Sequence, residues 1–170
     1  IVLDGLAGQI NEEQEDILYT ARRNVDRLAR LINDVLDFQK LEAGKMDFRM
    51  VDNNINEVIS ECHKAMISLA KKKDLKFELE LSEELSDLKF DRDKIMQVLS
   101  NLVNNAIKFT DKGSITISSK QLPEGVLVSV IDTGHGINDE EKERVFSSFE
   151  QLRRPAGGKE AGSGLGLAIS

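Results

Sequence analysis

The sequence predicts an α/β domain preceded by a helical segment, and two observations carry this prediction. Apolar residues recur with the period of a single long helix over residues 12–43, whereas strand and helix periods alternate after residue 45. The 170-residue chain is 40% hydrophobic and 31% charged, which is ordinary for a folded protein with one compact domain and a smaller element. We therefore expect a boundary near Gly44, between residues 1–44 and residues 45–170.

The long helix of residues 12–43 carries an apolar seam. Asn11 and Gln14 predict a capping box at its start, and Gly44 suits its C-terminal end. The apolar side chains follow steps of three and four residues, at Leu18, Ala21, Val25, Leu28, Ile32 and Val35. Further apolar residues widen this seam, and residues 1–8 supply only the end of a second helix. We therefore expect a homodimer that completes a four-helix bundle, the alternative being a helix packed on its own domain.

The region after Gly44 alternates between strand and helix patterns, as an α/β domain requires. The predicted strands cover residues 46–51, 75–81, 88–90, 114–118 and 126–131. The predicted helices cover residues 55–72, capped by Asp52 or Asn53, and residues 91–109. Their inward-facing side chains are expected at Ile55, Val58, Ile59, Cys62, Met66 and Leu69, and at Ile95, Val98, Leu99, Leu102 and Ile107.

The bulk chemistry excludes several classes of protein. The net charge of −7 argues against nucleic-acid binding, which depends on Lys and Arg at phosphates. The one cysteine, Cys62, excludes an internal disulfide and a cysteine-rich metal site, and it fits a cytoplasmic protein. No apolar run approaches the roughly 18 residues of a membrane span, so no membrane segment is expected in this chain. Membrane attachment of a longer protein stays open.

The segment from Asn101 to Thr110, NLVNNAIKFT, ends the last predicted helix with a chemical pattern. Asn101 and Asn105 share a helix face, and Lys108 follows about one turn later. An amide oxygen is a ligand that Mg²⁺ accepts beside waters and phosphate oxygens, and a lysine can neutralise phosphate charge. Taken alone, such a helix face is more often simply solvated.

The segment from Asp132 to Ile137, DTGHGI, directly follows an apolar strand. Gly134 and Gly136 allow tight turns and a close approach of the backbone to a ligand. Asp132, at the end of the strand, can accept a hydrogen bond from an exocyclic amine. By itself, this pattern is usually just a turn.

Two further segments lie near the end of the chain. The aromatic pair in residues 146–151, FSSFEQ, is typical of a small hydrophobic anchor. Residues 162–170, GSGLGLAIS, join glycines to an apolar helical start, and glycine amides at a helix N-terminus form an anion site. The stretch between them, residues 153–161, is a candidate lid.

In this order, the four segments resemble the N, G1, F and G2 boxes of sensor histidine kinases. The resemblance runs from about Leu18 to Ser170, and the combination of boxes is specific although each box alone is not. It implies an α/β two-layer sandwich, with helices on one face of a mixed sheet, in the histidine-kinase and gyrase-like ATP-binding fold. It also implies that residues 12–43 correspond to the second helix of the family's dimerisation and phosphotransfer hairpin.

The resemblance implies a role for each motif residue. Asn105 is the expected Mg²⁺ ligand, Asn101 its neighbour in the nucleotide pocket and Lys108 the residue near the phosphates, and these three are the expected catalytic residues. Asp132 is expected at the adenine amino group. The full set expected to bind ATP or ADP is Asn101, Asn105, Lys108, Phe109, Asp132, Gly134, Gly136, Ile137, Gly162, Ser163, Gly164, Leu165, Gly166 and Leu167.

The sequence departs from the family pattern at the phosphate acceptor. The family's first hairpin helix carries a histidine, but residues 1–44 contain none. Neither His63, on a predicted helix, nor His135, in the glycine-rich turn, is a good substitute. Residues 45–170 are also expected to lack the end of the catalytic domain. We therefore do not expect this chain alone to phosphorylate itself at the family's usual site.

The expected activity is phosphoryl transfer from ATP to a histidine, followed by transfer to an aspartate of a response regulator. The resemblance extends to gyrase-like ATPases, which place a Glu four residues before the metal-binding Asn. This chain has Asn101 there, and an amide is a poor general base. The alternatives are a non-catalytic ATP-binding docking module and a gyrase-like ATPase that releases phosphate without an acceptor.

Overall fold

The structure, a computed structural model, describes residues 2–3, 5–6, 8–142 and 166–168. The chain divides into two compact units, Ile1–Lys45 and Met46–Ser170. The elements in chain order are α1 (Glu12–Glu42), β1 (Val51–Asn53), α2 (Ile55–Lys71), β2 (Lys76–Leu81), β3 (Leu88–Phe90), α3 (Arg92–Phe109), β4 (Ser114–Leu122), β5 (Gly125–Asp132) and α4 (Asp139–Lys142).

Helix α1 is capped at both ends by residues next to it in the sequence. The Gln14 amide donates to the Asn11 side chain at 2.8 Å, and the Asn11 amide donates to the Gln14 side chain at 3.0 Å. The predicted capping box is therefore confirmed. At the other end, Gly44 has a φ of 61°, and the amides of Gly44 and Lys45 donate to carbonyls of the last helical turn. This left-handed glycine ends the helix within a residue of the predicted position.

The apolar seam of α1 lies at the surface. None of the residues of this helix is buried. Leu28, at the centre of the predicted heptad pattern, is 57% exposed. The exposed large apolar side chains of the helix are Ile17, Tyr19, Val25, Leu28, Ile32, Val35, Leu36 and Leu41. The apolar side chains of the seam are therefore exposed to solvent and are not covered by the other described residues of the unit formed by residues 1–45.

The second unit is built on a mixed three-stranded sheet of order β2-β4-β5. Strand β2 runs parallel to β4, with Lys76 opposite Ser114, and β5 runs antiparallel to β4, with Asp132 opposite Ile115. Parallel neighbours need a crossover, and here α3 lies in the connection between β2 and β4. Strands β1 and β3 form a separate antiparallel pair.

Helices α2 and α3 pack on one face of this sheet. Ile115 and Ile117 of β4 are buried, whereas Lys76, Glu78 and Glu80 on the opposite face of β2 are exposed. The buried apolar core comprises Ile55, Val58, Ile59, Cys62, Ala70, Leu75, Leu99, Val103, Ala106, Ile107, Ile115 and Ile117. The expected α/β sandwich, with helices on one face of a mixed sheet, is confirmed.

The predicted strand over residues 46–51 is wrong except at Val51. The strand in this region is β1, over Val51–Asn53, because only these residues face the three residues of β3. Helix α2 is consequently capped by Asn54, whose side chain accepts from the Asn56 amide. The predicted caps, Asp52 and Asn53, are in the strand, and the Asn53 side chain donates to the Phe90 carbonyl at 3.0 Å.

Two smaller expectations also fail. Leu69, predicted to face inward on α2, is 43% exposed. The described positions among residues 2–6 form turns rather than the end of a helix. The apolar residues at both places fit a helical period, but Val2, Leu6 and Leu69 are exposed, so the period alone does not show which side chains are covered.

Asp91 ties the segment before β1 to the start of α3. Its carboxylate accepts from the backbone amide of Arg49 at 2.8 Å, and from those of Lys94 and Asp93 at 3.1 and 3.0 Å. These donors, the Arg49 amide first, lower the pKa of the Asp91 carboxyl because they stabilise its charged form. The N-terminus of α3 is therefore held by a residue that also binds a distant stretch of chain.

Candidate functional site

Helix α3 divides into a core face and a face with polar chemistry. Leu99, Val103, Ala106 and Ile107 are buried against the sheet and α2. Asn101, Asn105 and Lys108 are all partly exposed. Steps of four and three residues bring these three side chains onto one face of the helix. The segment predicted to hold phosphate and metal is thus anchored by one side of α3 and partly exposed on the other.

The C-terminal end of α3 meets the loop that follows β5. The Lys108 Nζ lies 5.1 Å from the centroid of the Phe109 ring. The rings of Phe109 and His135 pack in a T-shaped arrangement, with a centroid separation of 5.8 Å. The first two predicted motifs are therefore neighbours in space, although more than twenty residues separate them in the sequence.

Gly134 sits where no larger residue fits. A Cβ at this position would lie 2.6 Å from the Phe109 carbonyl oxygen and 2.7 Å from the Asp132 Oδ1. The Gly134 amide donates to that same Oδ1 at 2.8 Å, which fixes the exposed carboxylate at the end of β5. Gly136 has a φ of 71°, so a left-handed backbone rather than crowding explains this second glycine.

Thr133 joins the same loop to the start of β4. Its Oγ1 accepts from the Ser114 amide at 3.0 Å, and its own amide donates to the Ser114 carbonyl at 3.2 Å. A Cβ on Gly113 would lie 2.1 Å from the Thr133 Oγ1, and Gly113 has a φ of 119°. The loop after α3 and the loop after β5 are therefore locked together at their bases.

Asn101 connects α3 to the last predicted motif. Its Nδ2 donates to the Gly166 carbonyl oxygen at 3.1 Å in a partly buried contact. Residues 166–168 form a turn rather than helix, and Leu167 is half-buried. Of the residues expected at the phosphate end, Gly166 is thus held against the same helix as Asn105.

The remaining predicted residues stand as follows. Ile137 is 44% exposed, beside Gly136. The sequence predictions for residues 146–151, for the lid over 153–161 and for Gly162, Ser163, Gly164 and Leu165 lie outside the described residues.

The His63 Nε2 lies 3.1 Å from the Phe77 carbonyl, and its ring packs 4.5 Å from that of Phe77. Local packing therefore accounts for His63.

Two residues near the site carry roles that the sequence did not suggest. Thr110, at the end of α3, is 0% exposed, and its hydroxyl finds no hydrogen-bond partner among the residues that the structure describes. Lys73, in the turn between α2 and β2, donates to two carbonyls at the same helix end. Asp74, next to Lys73, has a left-handed backbone conformation and closes a tight turn. The sequence pattern does not indicate that this turn lies against the end of α3.

Two family models match the chain. The model described as histidine kinase-, DNA gyrase B- and HSP90-like ATPase matches residues 90–170. The model described as the His Kinase A (phospho-acceptor) domain matches residues 2–44. The two matched regions lie on either side of the boundary between the structural units.

Named relatives and solved structures agree with these matches. An aerobic respiration control sensor protein ArcB homolog from Haemophilus influenzae is 32% identical over 97% of this chain, which spans 51% of that protein. The signal transduction histidine-protein kinase BarA of Escherichia coli is 32% identical over 97% of this chain, which spans 19% of its length. The crystal structure of full-length ShkA in complex with AMPPNP has a TM-score of 0.82 at 29% identity, over 96% of this chain and 34% of that one.

A nucleotide-free catalytic domain of the histidine kinase ThkA is 38% identical, with a TM-score of 0.63, over 73% of this chain and 77% of that one. The fold and the clustered motifs therefore define a protein of the histidine kinase, gyrase and HSP90-like ATPase class. Within this class the chain belongs to the sensor histidine kinases, because the phospho-acceptor family also matches its helical unit.

Proposed function

We propose that this chain is part of an ATP-dependent protein histidine kinase of a two-component system. Residues 45–170 bind ATP, and residues 1–44 form part of the dimerisation hairpin. The observation that carries this proposal is the convergence on α3. Gly134 packs against the Phe109 carbonyl, and Gly166 accepts from the Asn101 side chain, so three separate motifs meet at one helix.

In this proposal the loop after β5 holds the adenine. One Asp132 oxygen is engaged by the Gly134 amide, so the exposed carboxylate is oriented before any ligand arrives. Such a carboxylate suits an exocyclic amino group, which donates hydrogen bonds. The missing side chain at Gly134 lets the backbone of this loop approach Phe109. Gly136 and Ile137 complete the expected adenine end.

The phosphates are assigned to the face of α3 that carries Asn101, Asn105 and Lys108. Lys108 supplies positive charge there, and Asn105 supplies a neutral amide oxygen of the kind that Mg²⁺ accepts. None of Asn101, Asn105 and Lys108 carries a carboxylate, so these side chains add no negative charge that would repel phosphate oxygens. When bound, Mg²⁺ would neutralise phosphate charge. Gly162, Ser163, Gly164, Leu165, Gly166 and Leu167 are proposed to border the phosphate end.

The proposed reaction moves the γ-phosphoryl group of ATP onto a histidine nitrogen, with ADP as the leaving group. The residues of this chain contribute orientation and charge neutralisation rather than a general base. Asn101 stands where related hydrolases have a Glu, so activation of water is not expected. Residues 2–44 contain no histidine, and the acceptor must therefore come from another segment or chain.

We further propose a homodimer through residues 12–43 and a response-regulator receiver domain as the next phosphate acceptor. The exposed seam of α1 supports the first proposal. A solved complex of the histidine kinase ThkA with the response regulator protein TrrA, 27% identical with a TM-score of 0.64, supports the second.

Among the described residues, no helix combines the length and apolar character needed to cross a bilayer. Nucleic acid is not an expected partner, and we propose the cytoplasm as the location of this region.

The first test is calorimetric titration of the chain with ADP, with and without Mg²⁺. Wild type should bind saturably and more tightly with Mg²⁺. Asn105→Ala should abolish the Mg²⁺-dependent part of the affinity. Asn104→Ala, which removes an exposed amide next to Asn105, is the matched control and should bind as wild type does.

The outcomes separate three functions. Mg²⁺-dependent binding, with phosphate transfer to a histidine-bearing hairpin added in trans, supports the kinase. Steady phosphate release without any acceptor favours a gyrase-like ATPase. A folded chain that binds no nucleotide would leave a docking module and contradict the proposal.

A further inference from the structure

Lys73 reaches across to the end of the helix that carries the predicted phosphate-binding residues. Its Nζ donates to the carbonyl of Ile107 at 2.9 Å and to that of Lys108 at 3.2 Å. Both contacts are partly buried, and Lys73 lies more than thirty residues earlier in the chain. Lys73 belongs to the turn between α2 and β2, outside all four motifs.

These two contacts complete the C-terminus of α3. The last four carbonyls of a helix have no partner inside it. Here the Ala106 carbonyl accepts from the Thr110 amide at 3.0 Å, and the Phe109 carbonyl is the atom against which Gly134 packs. Lys73 serves the remaining two carbonyls. Its positive charge also lies at the negative end of the helix dipole, which stabilises a cation there.

The turn that carries Lys73 is itself fixed. The amide of Leu75 donates back to the Ala70 carbonyl at 3.1 Å, and Asp74 takes a left-handed φ of 54° to close the turn. The Lys76 amide then donates to the Gly113 carbonyl at 3.0 Å, in the loop that follows α3. The backbone of Lys73 is thus held on both sides, one end by α2 and the other by the loop leading into β4.

We propose that Lys73 is a positioning residue for the nucleotide phosphates, acting through the backbone of Lys108. This inference rests on the proposed function. By holding the carbonyls of Ile107 and Lys108, Lys73 keeps the last turn of α3 helical. The Lys108 side chain then leaves the helix from a defined point, on the same face as Asn105. Without Lys73, two carbonyls lose their donor, and the turn that presents Lys108 can unwind.

Loss of Lys73 should affect the phosphate end and the adenine end of the nucleotide differently. A loosened last turn displaces Lys108 from the phosphates, whereas the loop of Asp132 is also tied to Ser114 through Thr133, and the Asp132 carboxylate keeps the Gly134 amide as its donor. Loss of Lys73 should therefore weaken binding of a ligand with phosphates more than binding of a nucleoside. A merely structural role would lower the melting temperature but leave the ratio of the two affinities unchanged.

The experiment compares Lys73→Met with Lys73→Arg and Lys72→Met. Lys73→Met keeps the aliphatic stem but removes the donor and the charge, whereas Lys73→Arg keeps both. Lys72 is exposed and precedes Lys73, so Lys72→Met is the matched control for the lost charge. Binding of ADP with Mg²⁺ is measured by calorimetry and binding of adenosine by ligand-detected NMR. Both are measured well below the melting temperature of each variant.

Lys73→Met should bind ADP with Mg²⁺ about tenfold more weakly, on the order expected for lost charged hydrogen bonds. Its affinity for adenosine should change less than about twofold, and Lys73→Arg should recover most of the loss. Equal ADP affinity in Lys73→Met and wild type overturns the inference alone. An equal loss for both ligands also overturns it, and so does an equal loss in Lys72→Met. If Lys73→Met does not fold, Lys73→Leu, which also lacks a donor and a charge, replaces it under the same criteria. Wild type that binds no ADP overturns the proposed function and this inference together.

Discussion

Helices α1 and α3 are both amphipathic, but only one of them buries its apolar side. Helix α1 has 31 residues and no buried side chain, whereas α3 has 18 residues and places Leu99, Val103, Ala106 and Ile107 in the core. The seam of α1 is regular, at steps of three and four residues, yet it stays at the surface. An apolar stripe thus predicts that a face must be covered, but it does not say by which chain.

The ends of the two helices differ in the same way. Helix α1 is capped by its own neighbours in sequence, Asn11 with Gln14 at the start and Gly44 at the end. Helix α3 is held by Asp91, which binds the Arg49 amide, and by Lys73. A helix capped locally is defined without the rest of the fold. The position of α3 therefore depends on contacts with distant parts of the second unit. Such contacts fit a helix on which several motifs of a proposed site meet.

The largest expected effect tests the buried side of α3. Leu99 is 3% exposed, and Leu99→Ala should lower the free energy of unfolding by about 3 kcal/mol, because it leaves a cavity in the core. Urea denaturation followed by circular dichroism measures the change. Leu28→Ala is the matched control on α1 and should change the free energy by less than about 0.5 kcal/mol at low protein concentration. Equal losses in the two variants would mean that α1 is covered within the chain.

The seam of α1 should matter for association rather than for folding of the monomer. Leu28→Asp places a charge in the proposed dimer interface and should weaken self-association by about tenfold or more. Sedimentation velocity over a range of concentrations measures this. Asn33→Asp adds the same charge at an exposed position away from the seam and should leave association unchanged. A chain that is monomeric as wild type would contradict the dimer proposal.

The buried end of α3 offers a stabilising substitution. Thr110 is fully buried with an unpartnered hydroxyl among the described residues, and such a group costs free energy in the folded state. Thr110→Val removes the hydroxyl at nearly constant volume and should raise the free energy of unfolding by about 1 kcal/mol. A loss of stability instead would indicate that the hydroxyl has a partner in solution, such as an ordered water molecule.

The smallest effect concerns the start of α3. The folded-state pKa of Asp91 is lowered, so its ionised form contributes stability above the ordinary Asp pKa, and this contribution is lost as pH falls through the folded pKa. Asp91→Asn keeps a capping side chain without the charge. Its melting temperature should lie below that of wild type at pH 7 and approach it as the pH falls below about 4. A difference that does not change with pH would contradict this assignment.

The sequence predicted most elements because their signals are local. The capping box at Asn11, the strand over Leu88–Phe90 and the end of α3 at Phe109 were all predicted correctly from neighbouring residues. The position of β1 could not be predicted, since the register of β3 decides it. Asn54 was missed as the cap of α2 for the same reason.

The candidate site divides in a similar way. The order of the motifs predicted the family, and α3 brings Asn101, Asn105 and Lys108 onto one face as expected. The binding roles of these residues stay predictions. Thr133 and Lys73 could not be predicted, because each contributes through contacts with residues about twenty or more positions away. A single sequence carries no signal for such pairs.

Gly134 has a consequence for how variation at this site should be interpreted. Since a side chain there would collide with the Phe109 backbone, a library of variants sorted only for folded protein should return glycine at this position without any nucleotide. The same sorting should accept many different residues at Asn105, because its side chain is partly exposed and a replacement there meets no such collision. Intolerance at Gly134 would therefore reflect the architecture of the loop. Only a second sorting, for ligand capture, would reveal the positions that chemistry alone restricts.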